Sequence, residues 1–119
     1  MASPLERGAV YLANLNPGRG TEPGKIRPVL VVQNQGLLDA EHPSTLVIPL
    51  TTTLIDDAAP LRLHFPAQGK LEKDSDLLID QLRAIDNRRL MGEPLAHCDE
   101  ALMEQVYRAV IEVMGFPLT

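Results

Sequence analysis

The most strand-like segment of this sequence is RPVLVVQN at residues 27–34. Its nearly continuous run of β-branched and apolar residues is typical of a central strand that is buried on both faces. Pro28 stands at the start of the segment, where a missing backbone N–H is tolerated. The sequence therefore predicts a sheet in which residues 27–34 form an inner strand.

Two polar loops border this strand, and further strands are predicted beyond them. The first loop, residues 14–24, contains three glycines and two prolines, which exclude a helix. A loop of this length in a compact domain is often functional. The second loop covers residues 35–43. Strands are predicted at residues 8–13, 44–50, 60–65 and 93–96, with a bent strand over 77–85 and one turn of helix at 86–90.

A long helix is predicted over residues 100–114, because Asp99 is a suitable N-cap and Gly115 stands at the C′ position. Its apolar side chains cover a wide arc. This arc predicts either deep burial against the sheet or contact with a second subunit, and we expect a homodimer. One apolar stripe comprises Leu102, Val106, Ala109, Val110 and Val113, and a neighbouring stripe comprises Met103, Tyr107 and Met114.

These elements predict an α+β fold, a small and mostly antiparallel β-barrel of about six strands with a C-terminal helix. An SH3-like barrel is the leading candidate. The 119 residues suit one domain over residues 1–119. With 45% apolar and 23% charged residues, the composition is that of an ordinary globular protein.

The composition also bears on the compartment in which the protein works. No apolar run approaches 18 residues, so a membrane span is not expected. Glu6 and Arg7 lie where a signal peptide would need an apolar stretch, so a secreted form is not expected. The single cysteine, Cys98, forms no internal disulfide. We therefore expect a cytoplasmic protein.

The charge is unevenly distributed along the chain. The net charge of −5 argues against nucleic acid as a partner when it is taken alone. Residues 1–35, however, hold four basic and two acidic residues, whereas residues 36–119 hold seven basic and fourteen acidic residues. An anion-binding surface is therefore expected in the first third of the chain.

Motifs for a metal or a nucleotide cofactor are missing, so no cofactor is expected. No glycine-rich phosphate-binding motif lies between a strand and a helix. Asp74 and Asp76 are predicted on a solvated turn that lacks the ligands of a calcium loop. Cys98 follows His97, but neighbouring side chains point in different directions and do not suit a nucleophile pair. No histidine has a second ligand at metal spacing: His42, His64 and His97 are far apart.

A cluster of polar residues remains at the ends of the predicted strands. The residue types leave two interpretations open. In one, Arg27 pairs with Asp80 and the threonines cap a turn. In the other, the cluster forms a site, because polar residues that interrupt an apolar strand need a partner. The cluster comprises Glu22, Lys25, Arg27, Thr51, Thr52, Thr53, Asp80 and Gln81.

Two longer stretches carry a resemblance to a known family. The first is RGAVYLANLNP at residues 7–17, continued by GTEPGKIRPVLVVQN at residues 20–34. The second is KDSDLLIDQLRAID at residues 73–86, followed by Arg89 and Leu90. They resemble the opening signature and the D-S-x-x-x-x-[DE]-Q-[IPL]-R-[AT]-[IV]-D segment of the MazF/PemK family of toxin endoribonucleases. The resemblance runs over nearly the whole chain.

This resemblance implies an SH3-like barrel that forms a homodimer and belongs to a type II toxin–antitoxin module. The implied activity is sequence-specific, ribosome-independent and metal-independent cleavage of single-stranded RNA, including mRNA. The implied products are a 2′,3′-cyclic phosphate and a 5′-hydroxyl. A MazE-like antitoxin is the implied partner, with a disordered acidic tail that covers the active groove.

The resemblance also implies roles for individual residues. Arg27 and Thr51 correspond to the catalytic pair, while Glu22 or Asp80 is the candidate acid or base. Some relatives carry an arginine two residues before the acid equivalent to Asp80 and use both residues, but Leu78 stands at that position here. The residues expected to bind RNA are Lys25, Asn34, Thr52 and Gln81.

Two alternatives belong to other functional classes. The first is a non-enzymatic toxin of the same fold that binds DNA gyrase, similar to CcdB. That activity is associated with a C-terminal Trp-Gly-Ile ending, whereas this sequence ends GFPLT at residues 115–119. The second is a barrel that binds a peptide or RNA without catalysis.

Overall fold

A computed structural model describes residues 4–117, so Met1–Ser3 and Leu118–Thr119 lie outside the described residues. The comparison of the ending GFPLT, residues 115–119, with a Trp-Gly-Ile ending therefore lies partly outside the described residues. Within residues 4–117, no helix is long and apolar enough to span a membrane. The strands are β1 (Ala9–Asn14), β2 (Ile26–Val31), β3 (Ser44–Thr51), β4 (Arg62–Phe65), β5 (Ser75–Leu78), β6 (Arg83–Asp86) and β7 (Leu90–His97). The helices are α1 (Gln35–Asp39) and α2 (Glu100–Val113). Two 3₁₀ turns cover Ile79–Gln81 and Asn87–Arg89.

All pairs of neighbouring strands are antiparallel, in the spatial order β4-β5-β3-β2-β1-β7. β6 pairs with the first half of β3, on the edge that β5 occupies farther along. β2 lies between β1 and β3, with Leu30 opposite both Val10 and Ile48. The prediction of an inner strand in this segment is confirmed.

The sheet curves into a barrel-like form but does not close. Its outer strands, β4 and β7, are joined instead by the connection between β4 and β5. Lys70 N donates to Leu95 O in β7 at 2.7 Å. Gly69 precedes it with φ +57°, and a Cβ at this position would lie only 2.7 Å from the same Leu95 oxygen. The predicted α+β barrel with a C-terminal helix is confirmed, in an open form.

Alternating side chains of the strands supply two hydrophobic clusters, as expected for a period of two. Val10 and Leu30 belong to the cluster that α2 covers, together with Phe65 and Met103. The second cluster lies on the other side of the strands and contains Ala9, Tyr11, Ala13, Leu15, Val29, Val31, Leu38, Val47 and Ile85. Both faces of β1 and β2 are therefore buried at Ala9–Tyr11 and Val29–Val31, whereas the start of β2 is open.

The helix α2 begins and ends as its capping residues predict. The Asp99 carboxylate accepts a hydrogen bond from Leu102 N at 2.8 Å, and Gly115 has φ +82°. The helix ends at Val113, one residue before the predicted end. Its middle packs on the sheet, with Met103, Val106 and Ala109 buried, whereas Val113 and Met114 are exposed.

Two local predictions were wrong. Residues 35–43 were expected to be a loop, but Gln35–Asp39 form α1. Gly36 N donates to the Asn34 side chain at 2.7 Å, and burial of Leu38 holds this short helix on the sheet. Asp76 was expected on a solvated turn, but it lies in β5 and is 4% exposed. The predicted bend at Asp80-Gln81 is confirmed as the 3₁₀ turn between β5 and β6.

Candidate active site

A cleft of about 340 Å³ lies where β2 begins and β3 ends. Because the two strands are antiparallel, the start of one and the end of the other meet at the same edge of the sheet. Val29 pairs with Pro49, and continuing this register by two residues places Arg27 opposite Thr51. The cleft is lined by Lys25, Ile26, Arg27, Pro28, Leu50, Thr51, Thr52, Thr53 and Ser75.

The Arg27 guanidinium is oriented by neutral groups only. Its Nε donates to Gly24 O at 3.0 Å, and its Nη1 donates to Leu50 O at 3.4 Å. Within residues 4–117, no carboxylate forms an ion pair with Arg27. The interpretation in which Arg27 pairs with Asp80 is therefore wrong. A guanidinium has five N–H donors, so Arg27 keeps donors and its full charge for an anion in the cleft.

The Thr51 hydroxyl oxygen is positioned by the turn that follows it. Thr53 N donates to Thr51 Oγ1 at 3.2 Å, so the interpretation that these threonines cap a turn is confirmed for Thr51. A hydroxyl that accepts a hydrogen bond still has its own proton to donate. Capping and site formation are therefore compatible, and the half-buried Thr51 faces the cleft beside Arg27.

The loop of residues 14–24 is tied at its base, directly before Arg27. Lys25 N donates to Asn16 Oδ1 at 2.6 Å, and Leu15 N donates to Lys25 O at 2.9 Å. Lys25 itself has φ +67°, a conformation that is uncommon outside glycine and clusters at functional sites. A Cβ on Gly24 would lie 2.6 Å from Gly18 N, so the two arms of the loop cross backbone against backbone. This arrangement fixes where the chain enters β2.

Arg89 is a second anchor of this loop. Its Nη1 donates to Asn14 O at 3.0 Å and to Asn16 O at 2.8 Å. The sequence placed Arg89 in the second family motif but suggested no role for it. Its two bonds link that motif to the loop that precedes Arg27, and they explain why an arginine stands at the end of the 3₁₀ turn Asn87–Arg89.

The charge of the cleft is positive, although the chain is acidic. Lys25 and Arg27 line it, and among the described lining residues none is a carboxylate or a histidine. Both cations come from the first third of the chain, which agrees with the expected anion-binding surface. A local positive groove of this kind attracts an anion irrespective of the net charge of the protein.

A larger hollow of about 720 Å³ lies along α2, but its chemistry differs. Arg7 contacts Glu100 at 3.1 Å and donates to Tyr107 Oη at 2.7 Å. Arg108 is likewise paired with Glu104 at 3.3 Å. Both cations of the hollow are thus neutralised by partners within the chain, so it offers less to an anion than the cleft beside Arg27.

The structure gathers half of the predicted site residues in the cleft. Arg27, Thr51, Lys25 and Thr52 line it. The others lie elsewhere. Glu22 is exposed in the loop, in a tight turn where its N–H donates to Arg19 O at 2.8 Å. The remaining predicted residues, Asn34, Asp80 and Gln81, do not line the cleft.

Strand topology explains why these three residues lie away from the cleft. Asn34 caps α1 beyond the opposite end of β2, seven residues from Arg27, which is about 23 Å along an extended chain. Asp80 and Gln81 occupy the 3₁₀ turn on the far edge of β3. Two strand spacings, about 10 Å, separate this edge from β2.

Sequence reasoning missed two charged residues beside the cleft, Asp76 and Arg62. Asp76 pairs with Thr51 across β5 and β3. Its Oδ2 accepts hydrogen bonds from Ile55 N at 3.0 Å and from Arg62 Nη1 at 3.2 Å. The available signal was the position of Asp76 directly before the apolar run at residues 77–79, where a polar side chain needs a partner.

Cys98 and the histidines form no further catalytic group. Burial, reinforced by the negative charges of Asp99 and Glu100, raises the pKa of the Cys98 thiol to about 12. The thiolate needed for a nucleophile is therefore scarce at neutral pH. His97 contacts Glu6 at 2.8 Å on the surface. Across residues 4–117, no three or more His, Cys, Asp or Glu side chains gather as a metal site.

Comparisons with known proteins bear on the family and the fold. The family described as "PemK-like, MazF-like toxin of type II toxin-antitoxin system" matches residues 6–114. The chain is 35% identical over 107 residues to Endoribonuclease EndoA from Bacillus subtilis, covering 89% of this chain and 90% of the relative. It is also 35% identical over 112 residues to Endoribonuclease MazF from Staphylococcus saprophyticus, covering 93% and 92%.

Solved structures share the fold. A crystal structure of MazF from Deinococcus radiodurans superimposes with a TM-score of 0.79 at 22% identity, covering 96% of this chain and 99% of that one. A MazE–MazF structure from the same organism gives 0.75 at 22% identity, with coverage of 98% and 100%. The family match over residues 6–114 and the two relatives lead to one conclusion: this chain belongs to the PemK-like, MazF-like toxin family of type II toxin–antitoxin systems.

Proposed function

We propose that this chain is an endoribonuclease that cleaves single-stranded RNA. The observation that carries the proposal is the Arg27 guanidinium, which is oriented by two carbonyls, unpaired with any described carboxylate and adjacent to the Thr51 hydroxyl. The two relatives that are 35% identical are named endoribonucleases, and this supports the same reaction class here.

The proposed reaction uses a nucleophile that RNA carries itself. The 2′-hydroxyl oxygen attacks the adjacent phosphorus, and the bond from phosphorus to the 5′-oxygen breaks. The proton lost by the 2′-hydroxyl is balanced by the proton that the leaving 5′-oxygen gains. The products are a 2′,3′-cyclic phosphate and a 5′-hydroxyl, and no redox step is involved.

Arg27 and Thr51 stabilise the charge that develops on the phosphoryl oxygens. The fork of Arg27 suits bidentate, charge-assisted bonds to two oxygens, and Thr51 donates its hydroxyl proton to the same group. Each preorganised donor of this kind contributes roughly 3–4 kcal/mol of transition-state stabilisation. Lys25 and Thr52, which also line the cleft, bind the flanking phosphates and sugars.

The general base lies outside the cleft lining, and we assign it to Glu22. Glu22 belongs to the loop whose tied base holds Lys25 and Arg27, whereas Asp80 lies on the far edge of β3. An arginine is unsuited to the role because its pKa exceeds about 12. Leu78 stands where an arginine partner of Asp80 would be, and this weakens the case for Asp80.

The partners proposed for the chain are a second copy and an antitoxin. The exposed apolar side chains near the end of α2, Val113 and Met114, leave part of the predicted wide arc for a homodimer contact. A MazE-like antitoxin with an acidic segment would complement the cations Lys25 and Arg27 and so block the cleft. The gyrase-binding alternative is not favoured, because the family and both relatives point to the MazF/PemK group.

The direct test incubates the purified protein with a long single-stranded RNA, without ribosomes and with excess EDTA. We expect discrete cuts with cyclic phosphate ends, and their positions would reveal the recognition sequence. The matched control is Arg27→Ala, which should leave the RNA intact. Uncut RNA with the parent protein would contradict the proposal, and equal cutting by a folded Arg27→Ala protein would contradict the role of Arg27.

A further inference from the structure

A buried ion pair lies directly beside Thr51, on the side of β3 opposite to Arg27. Asp76 is the cross-strand partner of Thr51, and its side chain is 5% exposed. Arg62 in β4 approaches it with Nη1 at 3.2 Å from Asp76 Oδ2, and its side chain is 21% exposed. Neither residue lines the cleft, so neither is available to contact the substrate there.

The pair is connected to the chain segment that follows Thr51. Arg62 Nη1 donates to Thr53 O at 2.8 Å, and Asp76 Oδ2 accepts from Ile55 N at 3.0 Å. The same two atoms that form the ion pair thus also bind the backbone at Thr53 and Ile55. Thr53 in turn donates its N–H to Thr51 Oγ1 at 3.2 Å. A continuous chain of hydrogen bonds runs from the ion pair to the Thr51 hydroxyl.

We propose that Asp76 and Arg62 are positioning residues, which fix the turn at residues 51–53 so that the Thr51 hydroxyl proton is directed into the cleft. The inference rests on the proposed function, since Thr51 is assigned there to the phosphoryl group. Charge-assisted hydrogen bonds are the strong ones, and the two bonds to the backbone are of this type. Without them the exposed residues Thr52, Thr53 and Leu54 have few contacts that define the turn.

Packing alone does not explain the choice of residues. A buried ion pair is often no more stabilising than a well-packed apolar pair of similar volume. An apolar pair, however, provides neither the donor for Thr53 O nor the acceptor for Ile55 N. Replacing the ion pair by an apolar pair therefore distinguishes a positioning role, which needs the bonds to Thr53 O and Ile55 N, from a structural role, which needs only the packing.

The test is the double variant Arg62→Met/Asp76→Val, which fills the space and removes both charges. We expect its unfolding temperature to lie near that of the parent, because no unpaired charge remains buried. We expect kcat for RNA cleavage to fall at least 10-fold while KM changes less than 3-fold, since the substrate contacts are intact. A double variant that folds and retains the parental kcat would overturn the proposal.

Two further measurements make the outcome specific. In a Thr51→Ala background, the double variant should lower kcat by less than 2-fold, because the group being positioned is gone. Full additivity of the two effects would overturn the proposal. The control is Arg108→Gln/Glu104→Gln, which removes an exposed ion pair on α2 and should leave kcat unchanged.

A measurement that needs no activity separates this inference from the proposed function. Amide hydrogen exchange at Thr53 and Ile55 should accelerate at least 10-fold in the double variant, while exchange at Leu77 in β5 stays unchanged. Unchanged exchange at Thr53 and Ile55 would overturn the positioning role even if the parent cleaves RNA. If the parent does not cleave RNA but exchange at Thr53 and Ile55 is still accelerated in the double variant, the result would support the positioning role and contradict only the proposed function.

Discussion

Two arginines flank the last residues of β3, and their surroundings differ. Arg27, on the β2 side, is oriented by the carbonyls of Gly24 and Leu50 and has no carboxylate partner among the described residues. Arg62, on the β4 side, binds the buried carboxylate of Asp76. A guanidinium held by carbonyls keeps its charge for an external anion, whereas one paired with a buried carboxylate serves the fold. Arg27, on one side of β3, is thus free to bind an anion, whereas Arg62, on the other side, holds the protein backbone in place.

The largest expected difference between the two arginines is in the rate of RNA cleavage, which we propose depends on Arg27. We expect Arg27→Ala to lower kcat by about 10³–10⁵-fold, the range by which an arginine stabilises a phosphoryl-transfer transition state. Arg27→Lys should recover only part of the loss, because an ammonium cannot make the bidentate contact. Both rates follow from single-turnover cleavage of a labelled RNA. A folded Arg27→Ala protein with parental kcat would contradict the assignment.

The second effect is on stability and should appear on the other side of β3. Arg62→Met removes the guanidinium partner of the buried Asp76 carboxylate and leaves it with Ile55 N at 3.0 Å and the His64 ring at 3.8 Å. This should lower the free energy of unfolding by about 3 kcal/mol, the lower end of the range for breaking a buried ion pair. Arg27→Met removes no ion pair and should change it by less than about 1 kcal/mol. Urea unfolding of the two variants measures both. Equal destabilisation would mean that the two arginines are structurally equivalent.

The third effect concerns the acid on each side. Glu22 belongs to the loop on the Arg27 side, whereas Asp80 lies across β3. We expect Glu22→Gln to lower kcat by about 10²-fold, the lower range for loss of a general base. Asp80→Asn should change kcat less than about 3-fold, because Asp80 lies on the far edge of β3, about two strand spacings from β2. The reverse ranking would move the base to the Asp80 side.

A smaller effect concerns the charge of the cleft. With about two phosphate contacts, from Lys25 and Arg27, the logarithm of affinity should fall with the logarithm of salt concentration with a slope of about −1.4. An increase from 50 to 200 mM salt should therefore weaken RNA binding about 7-fold, measured with a non-cleavable single strand. A slope several times steeper would show that the basic residues elsewhere also bind RNA.

The smallest effect is expected at Cys98, which belongs to neither side. Since its thiol pKa is raised to about 12, alkylation of the native protein at neutral pH should be slow. Its rate should rise about tenfold per pH unit up to that pKa, as the thiolate fraction grows. Denatured protein is the control and should react near the ordinary cysteine pKa. Cys98→Ser should leave kcat unchanged, and a loss of activity would contradict the view that Cys98 has no catalytic role.

Local signals account for what could be predicted from the sequence. The apolar run of β2 and the caps of α2 depend on residues close together in the chain, so both elements lie near their predicted positions. The meeting of Arg27 and Thr51 depends on strand register, which residue types do not reveal. The family resemblance suggested that pair before the register placed the two residues opposite each other.

Non-local partners account for what was missed. Asp76 looks solvated in the sequence because its neighbours Asp74 and Lys73 are charged, and its burial depends on Arg62, which lies 14 residues away in the chain. Asn34 was expected at the site because it lies in the first motif. Its side chain caps α1 instead, and asparagine is a preferred N-cap residue of helices. In both cases the side chain's hydrogen-bond partner lies outside the sequence motif from which the prediction was made.

The crossing of the loop at Gly18 and Gly24 has a consequence for how the protein tolerates change. Because the arms are tied there and at Asn16, only residues 19–23 form a free tip. Doubling the length of such a tip adds only about 0.6 kcal/mol of closure entropy. The tip can therefore accept insertions and new side chains while Arg27 stays in place, although a change that displaces Glu22 would remove the proposed base. The position of Arg27 is thus uncoupled from the rest of the tip, so any RNA contacts made by tip residues other than Glu22 can change without moving Arg27.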